Sequence, residues 1–376
     1  MTKKLLLLIA CAIMSWSAML AGEVTINAIK YRTYTGSNGS ATVIGCEPGV
    51  KNLVIPAEIT YQGQKLPVKY ISGSAFENNT ELVSATIPGS VITISSGAFM
   101  NCTSLKKVTC LDGVWSVGAW CFQGCTSLED ISMTNSVKEI GMSAFRSCTS
   151  LKSIALPNSI ETIESFAFCE CSALTHVEWP SNLKEIGQMA FNKCTALKQL
   201  TNLPTSLRKI ESNAFSRVGV RIVYLHEGIT ELDDAFQNCN DLKVISLPST
   251  LTSLQGFSSC KGLTDIECRA TTPVCPRSYF TADVYYHAQL YVPKGCVGAY
   301  KSATGWENFT AITDEYSPFP LTDTTGDKVT DVSDANRTIN MILGRSTDKY
   351  RRDDVNRDGT IDITDLNEVT NAILGK

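Results

Sequence analysis

Histidine is scarce in this sequence, and two motifs that often mark an active site are missing. The 376 residues include three histidines, and neither an HExxH nor a GxSxG pattern occurs. These patterns are typical of zinc-dependent proteases and serine hydrolases, so the signature of either class is lacking. His176 falls at a position expected to be exposed, while His226 and His287 have no nucleophile motif beside them. We therefore expect a protein that is not an enzyme.

A surplus of positive charge and long apolar segments are lacking as well. The 33 lysines and arginines stand against 37 acidic residues, giving a net charge of −4 without a basic stripe. Nucleic-acid binding needs such a stripe, so we exclude nucleic acid as a partner. Beyond the N-terminus no stretch reaches the roughly 18 uninterrupted apolar residues of a membrane-spanning helix. We expect no transmembrane segment.

Residues 1–22 have the layout of a secretory signal peptide. Two lysines precede an apolar run, and small residues follow it. The protein is therefore expected to be secreted, extracellular or on the cell surface. Leu8-Ile9-Ala10-Cys11 also resembles a lipoprotein cleavage box, which would leave Cys11 as a lipid-carrying N-terminus. The class of signal peptidase stays open.

A repeat of about 23 residues organises the middle of the chain. Its easiest marker is a phenylalanine, usually preceded by alanine, at Phe76, Phe99, Phe122, Phe145, Phe168, Phe191, Phe215, Phe236 and Phe257. In the unit 151–171 the pieces LKSIALP and SIETI are rich in isoleucine and separated by turn residues, which predicts two short strands. We expect the AFCEC piece to form one helical turn. Stacking such units would give a solenoid with one continuous core.

This LxxIxLPxSLxxIxxxAFxxC pattern resembles the BspA-like leucine-rich-repeat family of secreted bacterial proteins. The resemblance covers residues 71–265 and implies a repeat solenoid of mainly short parallel β-strands with short helical turns. The cysteine column is lost at 217–232, and the last repeats are shortened. Residues 23–70 are expected to cap the N-terminal end, and 266–315 resemble the C-terminal closing segment often found with this repeat. Caps are needed because an open end would expose core side chains and strand edges.

Nearly half of the 15 cysteines follow the repeat. Seven of them lie three residues after the repeat phenylalanine, which predicts a buried column of reduced thiols filling a fixed slot rather than zinc ligands. These are Cys102, Cys125, Cys148, Cys171, Cys194, Cys239 and Cys260. Outside this column Cys268 and Cys275 are the first candidates for a disulfide. The connectivity of these two cysteines and of Cys46, Cys110, Cys121 and Cys296 cannot be read from the sequence.

After a proline-containing linker at 316–320, the composition becomes rich in aspartate. The segment DVNRDGTIDITD has oxygen-bearing residues at positions 1, 3, 5, 7, 9 and 12 and a glycine at position 6, the spacing of an EF-hand-type calcium loop. The expected ligands are Asp354, Asn356, Asp358, Thr360 through its backbone carbonyl, Asp362 and Asp365. This spacing predicts a Ca2+ site.

A second loop stands 31 residues earlier, so the module is an internal duplication. Its expected ligands are Asp323, Thr325, Asp327, Val329, Asp331 and Asp334. Each loop runs into an amphipathic helix that ends before a glycine, and the second helix carries Ile363, Leu366, Val369 and Ile373 on its apolar face. Lys328 replaces the turn glycine, and a left-handed lysine costs about 1–2 kcal/mol. We expect two Ca2+ sites, the second being stronger.

The duplicated loop with only an exiting helix resembles the type I dockerin family over residues 321–376. The resemblance implies a small α-helical calcium-binding domain that docks onto a cohesin-like domain of a scaffold protein. It also implies partner contacts at positions 10 and 11 of the loops, which are Val332, Ser333, Ile363 and Thr364. The first loop departs from the family at Thr325 and Lys328.

These features together predict a protein-interaction or adhesion protein. Its solenoid would bind an unidentified protein or glycan, and Trp115 or Trp120 could stack on sugars, while Trp179 occupies an apolar core column. Charged residues such as Lys138, Glu161 and Lys184 recur with mixed signs, which indicates a solvated face. An accessory role in a polysaccharide-degrading complex is the alternative, and a glycoside hydrolase is a third.

Overall fold

The computed structural model describes residues 21–200, 203–255, 257, 259–276, 280–314 and 363–374. The chain forms two compact units. The first unit extends to Leu197 and includes Asn213–Val218, and the second consists of Lys198–Ser212 and the chain from Gly219 onward. The predicted domain boundaries remain predictions.

The first unit begins with an antiparallel meander. Strands β1 (Ala21–Ile26), β2 (Ile29–Tyr34) and β3 (Ser40–Cys46) pair in sequence, and β3 then pairs in parallel with β6 (Gln64–Ile71). A hairpin joins β6 to β5 (Glu58–Tyr61). Its two-residue turn, Gln62-Gly63, has φ values of 48° and 77°, and positive φ at both positions matches the right-handed twist of the strands. β1 overlaps the last two residues of the predicted signal peptide.

The repeats of the first unit contribute two rows of parallel strands, as the pattern predicts. Row A consists of β4 (Asn52–Val54), β7 (Ser84–Ile87), β9 (Lys107–Cys110), β11 (Asp130–Ser132), β13 (Ser153–Ala155) and β15 (His176–Glu178). Row B consists of β6, β8 (Thr93–Ile94), β10 (Ser116–Val117), β12 (Glu139–Ile140), β14 (Thr162–Ile163) and β16 (Glu185–Ile186). The register keeps equivalent residues side by side, for example Ile94 beside Val117.

The segment around each repeat phenylalanine is a pair of tight turns, so the prediction of a helical turn is wrong. Ser143 and Ser147, two residues before and after Phe145, have φ values of 57° and 60°. The N–H of Phe145 donates to the carbonyl of Ala167 in the next repeat at 2.8 Å instead of to its own segment. Hydrogen bonds to the next repeat alternate with local bonds that reach only three residues back, so the run of i to i−4 bonds that a helix needs does not form.

A stack of phenylalanine rings forms the centre of the first unit. The rings of Phe99, Phe122 and Phe145 are fully buried, with centroids 5.3 Å and 5.4 Å apart and planes 12° from parallel. Each buried ring removes on the order of 150–250 Å² from water, so the column is a main source of stability.

The second unit has the same two rows. Its row A comprises β18 (Ile222–Tyr224), β20 (Val244–Leu247), β22 (Asp265–Cys268), β23 (Gln289–Tyr291) and β24 (Ala311–Thr313), and its row B comprises β17 (Lys209–Ile210), β19 (Glu231–Leu232) and β21 (Ser253–Leu254). Helices α1 (Ala282–His287) and α2 (Val297–Lys301) flank β23 in sequence. Phe280, Tyr285, Trp306 and Phe309 pack together, with the Phe280 and Phe309 centroids 5.1 Å apart. This cluster lies in the predicted closing segment.

The second predicted C-terminal helix is confirmed as α3 (Ile363–Leu374). The predicted cap, Gly375, lies outside the described residues. Val369 is buried, but Ile363 is 58% exposed and does not lie on the buried side. In the ranges that the structure covers, no helix has the length and apolar character to cross a membrane.

Candidate ligand-binding surface

The cysteine column is an interior feature of the repeats and not a reactive site. All seven predicted cysteines are buried, and the structure records them as free thiols. Cys148 donates its thiol hydrogen to the carbonyl oxygen of Phe122 in the preceding repeat at 3.2 Å, and Cys125 bonds Phe99 in the same way at 3.1 Å. The thiols therefore fill a slot, as predicted, and also satisfy a buried carbonyl, which the sequence did not reveal.

Burial also suppresses the reactivity of these thiols. Removal from water raises the pKa of the Cys148 thiol well above its usual value, and it raises the pKa of Cys110, a buried cysteine outside the column, to about 12. The thiolate is the nucleophile and the metal ligand, so these side chains are chemically inert near neutral pH. In the described part of the chain, no group of histidine, cysteine or acidic residues could hold a metal ion.

Charged side chains on the outside of the first unit pair between successive repeats. Lys184 lies 2.6 Å from Glu161, and Lys107 lies 2.8 Å from Asp130. Glu170 accepts hydrogen bonds from Lys193 at 2.7 Å and from Ser147 at 2.9 Å, which lower the pKa of its carboxyl group. Exposed pairs of this kind contribute about 0–1 kcal/mol each. The predicted solvated face is present here.

Four exposed, large apolar side chains belong to three neighbouring repeats of the first unit. We call Ile92, Trp115, Trp120 and Met142 the aromatic edge. Trp115 and Trp120 are 45% and 41% exposed and stand at the two ends of the WSVGAW segment that contains β10. The backbone N–H of Trp115 donates to the backbone carbonyl of Ile92 at 2.8 Å, and the backbone N–H of Trp120 donates to that of Met142 at 2.9 Å. Each tryptophan therefore has an exposed apolar neighbour one repeat away.

The position of the tryptophans in the repeat makes this exposure notable. Trp115 occupies a place where later repeats carry Lys138, Glu161 and Lys184. Trp120 has a φ of 55°, a left-handed conformation that bulky residues rarely adopt. Equivalent positions hold Gly97 and Ser143, which suit such a turn better. The exposure of Ile92 could also have been predicted, because it stands 23 residues before Trp115 at the same repeat position. Nothing in the sequence indicates that Met142 is exposed.

A family profile described as the BspA type leucine rich repeat region matches residues 69–198 and 161–284, in six copies. These segments together span more than half of the chain. The chain belongs to the BspA-type leucine-rich-repeat family. No curated protein sequence matches this BspA-type protein.

Solved leucine-rich-repeat structures resemble this BspA-type protein at low identity. A protein from Bacteroides ovatus is 23% identical, with a TM-score of 0.52 over 74% of this chain and 80% of that one. A leucine-rich cell surface protein from Faecalibacterium prausnitzii is 22% identical, with a TM-score of 0.45 over 79% and 96% of the two chains. The pneumococcal vaccine antigen PcpA is 19% identical, with a TM-score of 0.39 over 80% and 100%. The Bacteroides likeness supports the fold alone.

The three histidines of this BspA-type protein occupy unrelated surroundings. His176 is exposed on β15, as predicted. His226 places Nδ1 2.7 Å from the carbonyl oxygen of Glu227, and His287 places Nδ1 3.0 Å from that of Asp283. Each of these two contacts is with a nearby backbone carbonyl oxygen, and neither pairs the imidazole with a nucleophilic side chain.

Arg269 makes several polar contacts in the second unit, and sequence reasoning missed it. Its guanidinium donates to the carbonyl oxygens of Leu225 and Leu247, and to the Tyr224 hydroxyl at 2.8 Å. It also lies over the Tyr224 ring and 3.4 Å from a Glu227 carboxylate oxygen. These bonds join three successive repeats, which makes Arg269 a structural clamp.

The expected disulfide between Cys268 and Cys275 is absent. Cys268 is buried at the end of β22, whereas Cys275 is exposed, and both are free thiols. The side chain of Cys268 belongs to the core of the repeat, and burial raises the pKa of its thiol. Cys46, Cys110, Cys121 and Cys296 are also free in the structure.

The predicted calcium ligands lie outside the described residues, with the exception of Asp365. Asp365 and Thr364 belong to α3, and Ile363 begins it. Val332 and Ser333, the other predicted partner contacts, also lie outside the described ranges. The ligand set of hard oxygen atoms therefore remains a prediction from the sequence.

Proposed function

We propose that this BspA-type protein is a secreted or cell-surface binding protein that holds a protein or glycan ligand at its aromatic edge. The observation that carries the proposal is the exposure of Trp115 and Trp120 among paired surface charges. Exposed tryptophans are over-represented among residues that dominate binding energy, and their faces can stack on sugar rings. A stacked solenoid offers these side chains on a fixed surface.

The test uses the mature full-length chain on a panel of immobilised polysaccharides and purified surface proteins. Trp120→Ala and Trp115→Ala should each weaken binding to the best ligand by about tenfold or more, since buried aromatic anchors are commonly worth at least 2 kcal/mol. Val54→Ala is the matched control, because Val54 is 65% exposed on the same unit but lies outside the aromatic edge. Unchanged binding by both tryptophan variants would reject this surface.

We propose a non-catalytic role for the repeats. Leucine-rich-repeat proteins are generally binding proteins, and the matched family is not a catalytic one. The mature chain should therefore release no reducing sugar from the polysaccharides on the same panel. Turnover that one carboxylate substitution abolishes would overturn this proposal.

We also propose that residues 321–376 form a dockerin-like module that binds Ca2+ and docks to a cohesin-type scaffold. The proposal rests on the duplicated loops and is supported by α3, which starts at position 10 of the second loop with Ile363 exposed. Such docking would make the protein an accessory component of a polysaccharide-degrading complex. A recombinant cohesin domain should retain the mature chain with calcium and release it with a chelator. Ile363→Asp should abolish retention, and Tyr286→Asp, at an apolar position of α1 that is 68% exposed, should serve as the control.

A further inference from the structure

The residues of row A that point away from the core differ in burial between the two units. We call the surface that they form the outward side of row A. In the first unit, β11, β13 and β15 each show a buried central residue between two exposed ones. In the second unit, every residue of β20 and β22 is buried, although the preceding strand β18 keeps Tyr224 exposed. The outward residues Val244, Ser246, Asp265 and Glu267 are therefore withdrawn from solvent.

Hydrogen bonds within the sheet satisfy the buried polar side chains, but they do not explain why this side is shielded from solvent. Asp265 accepts from the Tyr291 hydroxyl at 3.0 Å and from the Thr264 hydroxyl at 2.7 Å. Val244 is apolar and fully buried on the same side. Since the structure contains one chain, atoms of that chain must cover this surface.

Helix α3 has one covered side and one open side. Ile363, Asn367 and Asn371 are exposed and recur every four residues, so they share a face of the helix. Val369 is fully buried, and Leu366 is half-buried. A lone helix in water cannot bury a valine completely, so α3 lies against other residues of the chain.

One hydrogen bond joins α3 to the repeats of the second unit. The side-chain amide of Gln199 donates to a carboxylate oxygen of Glu368 at 3.3 Å, and both residues belong to the second unit. Gln199 follows His176 and Ser153 at the 23-residue spacing, which places it at the outward position of row A. By the same spacing, Ile222 is the next outward residue, and the strand register continues from Ile222 to Val244 and Asp265.

We propose that the outward side of row A in the second unit, covered at β20 and β22 and touched at its edge through Gln199, is a docking surface for the chain's own helix α3. Val369 and Leu366 face this surface, and Ile363, Asn367 and Asn371 remain open to solvent. The chain leaves this same sheet at β24, and the residues between Asp314 and Ile363 are numerous enough to span the distance. The proposal is independent of cohesin and of calcium. It implies that an external partner of the module meets the Ile363 side while the solenoid holds the other side.

Photo-cross-linking in the mature full-length chain tests this docking. Benzoylphenylalanine replaces Gln199, and trypsin digestion reports the C-terminal peptide 358–376, which follows Arg357. Benzoylphenylalanine at Ser153 is the matched control, because Ser153 occupies the same repeat position and is exposed. We expect the Gln199 probe to capture peptide 358–376 within the monomer, and the Ser153 probe to capture none.

Two substitutions in α3 test the docking without depending on whether the probe at Gln199 disturbs the fold. Val369→Asp should reduce the Gln199 cross-link severalfold, because a charge would be buried against the sheet. Asn371→Asp, on the open side, should leave the yield unchanged. The proposal fails if peptide 358–376 is not captured, if Ser153 captures it equally, if it appears only in a cross-linked dimer, or if Val369→Asp has no effect.

Discussion

Cys148 illustrates why a small polarisable side chain occupies the interior column. Its backbone N–H donates to Phe145 at 3.2 Å while its thiol donates to Phe122, so one residue ties two repeats together. Cys148→Ala removes the sulfur and leaves the Phe122 carbonyl short of one donor. We expect a loss of about 1–3 kcal/mol in the free energy of unfolding, from the cavity and the weakened polar contact. Denaturant titration measures it, with the exposed Cys275→Ala as a control that should change little.

The environment of each thiol predicts its reactivity. Eleven of the described cysteines are buried, Cys275 is exposed, and Cys46 and Cys296 are half-buried. In an Ellman titration of the native protein, Cys275 should therefore react first. At most these three thiols should react quickly. The buried thiols should react only after denaturation. Disulfides mapped within the repeat column would contradict this prediction.

At the scale of elements, two glycines show how closely the repeat loops approach each other. A Cβ atom added at Gly113 would overlap the backbone carbonyl of Gly89 in the preceding repeat, whereas one added at Gly49 would meet nothing within 4 Å. Both glycines have positive φ, 121° and 87°. Gly49→Ala therefore isolates the backbone cost of about 1 kcal/mol, and Gly113→Ala should lower the unfolding free energy by clearly more. Thermal or denaturant unfolding measures both variants. If they lose the same unfolding free energy, the loops can move apart to accommodate the added methyl group.

The sequence predicts the strands of this fold better than its turns. Apolar columns at fixed spacing determine both strand rows, because each strand must face the same core. Many left-handed positions carry glycine, asparagine or serine, but Trp120, Phe166 and Met189 occupy others, and at these three the residue type gives no signal of a turn. Trp179 packs edge-on against Phe191 at 5.3 Å, as its column predicts. The covered surface around Asp265 depends on contacts distant in sequence, which a repeat pattern does not encode.

The C-terminal module should fold in response to calcium. Without metal, Asp354, Asp358 and Asp362 would repel one another in a tight loop, and a metal that binds only the folded state removes this cost. Calcium at ~1,000 Kd should stabilise the module by about 4 kcal/mol. Calorimetry and far-UV circular dichroism of the mature chain should show a chelator-sensitive transition. Asp358→Ala should weaken calcium binding more than Asp327→Ala, because the first loop already carries Lys328.

At the scale of the whole molecule, the buried thiols should make the protein sensitive to alkali. Burial raises the pKa values of thiols such as Cys148, Cys171 and Cys194 above the ordinary value of 9.0, and it raises the pKa of Cys110 to about 12. An acid whose pKa is higher in the folded state stabilises the fold below the unfolded pKa. That stabilisation declines as the pH rises from about 9 toward 12, because the unfolded chain loses its thiol protons first. Each such thiol should lower the unfolding free energy by about 1 kcal/mol per pH unit in this range.

The slope of stability against pH tests the effect without depending on absolute stability. Denaturant midpoints measured under reducing conditions between pH 8 and about pH 10.5 should fall progressively more steeply above the unfolded thiol pKa. Removing two column thiols in the double variant Cys148→Ala/Cys171→Ala should reduce the slope by about 2 kcal/mol per pH unit, even though the variant starts less stable. Cys275→Ala should leave the slope unchanged, because that thiol is exposed in both states. A slope that is the same in all three proteins would mean that the column thiols ionise within the fold, and that the stack is more permeable to water than its packing indicates.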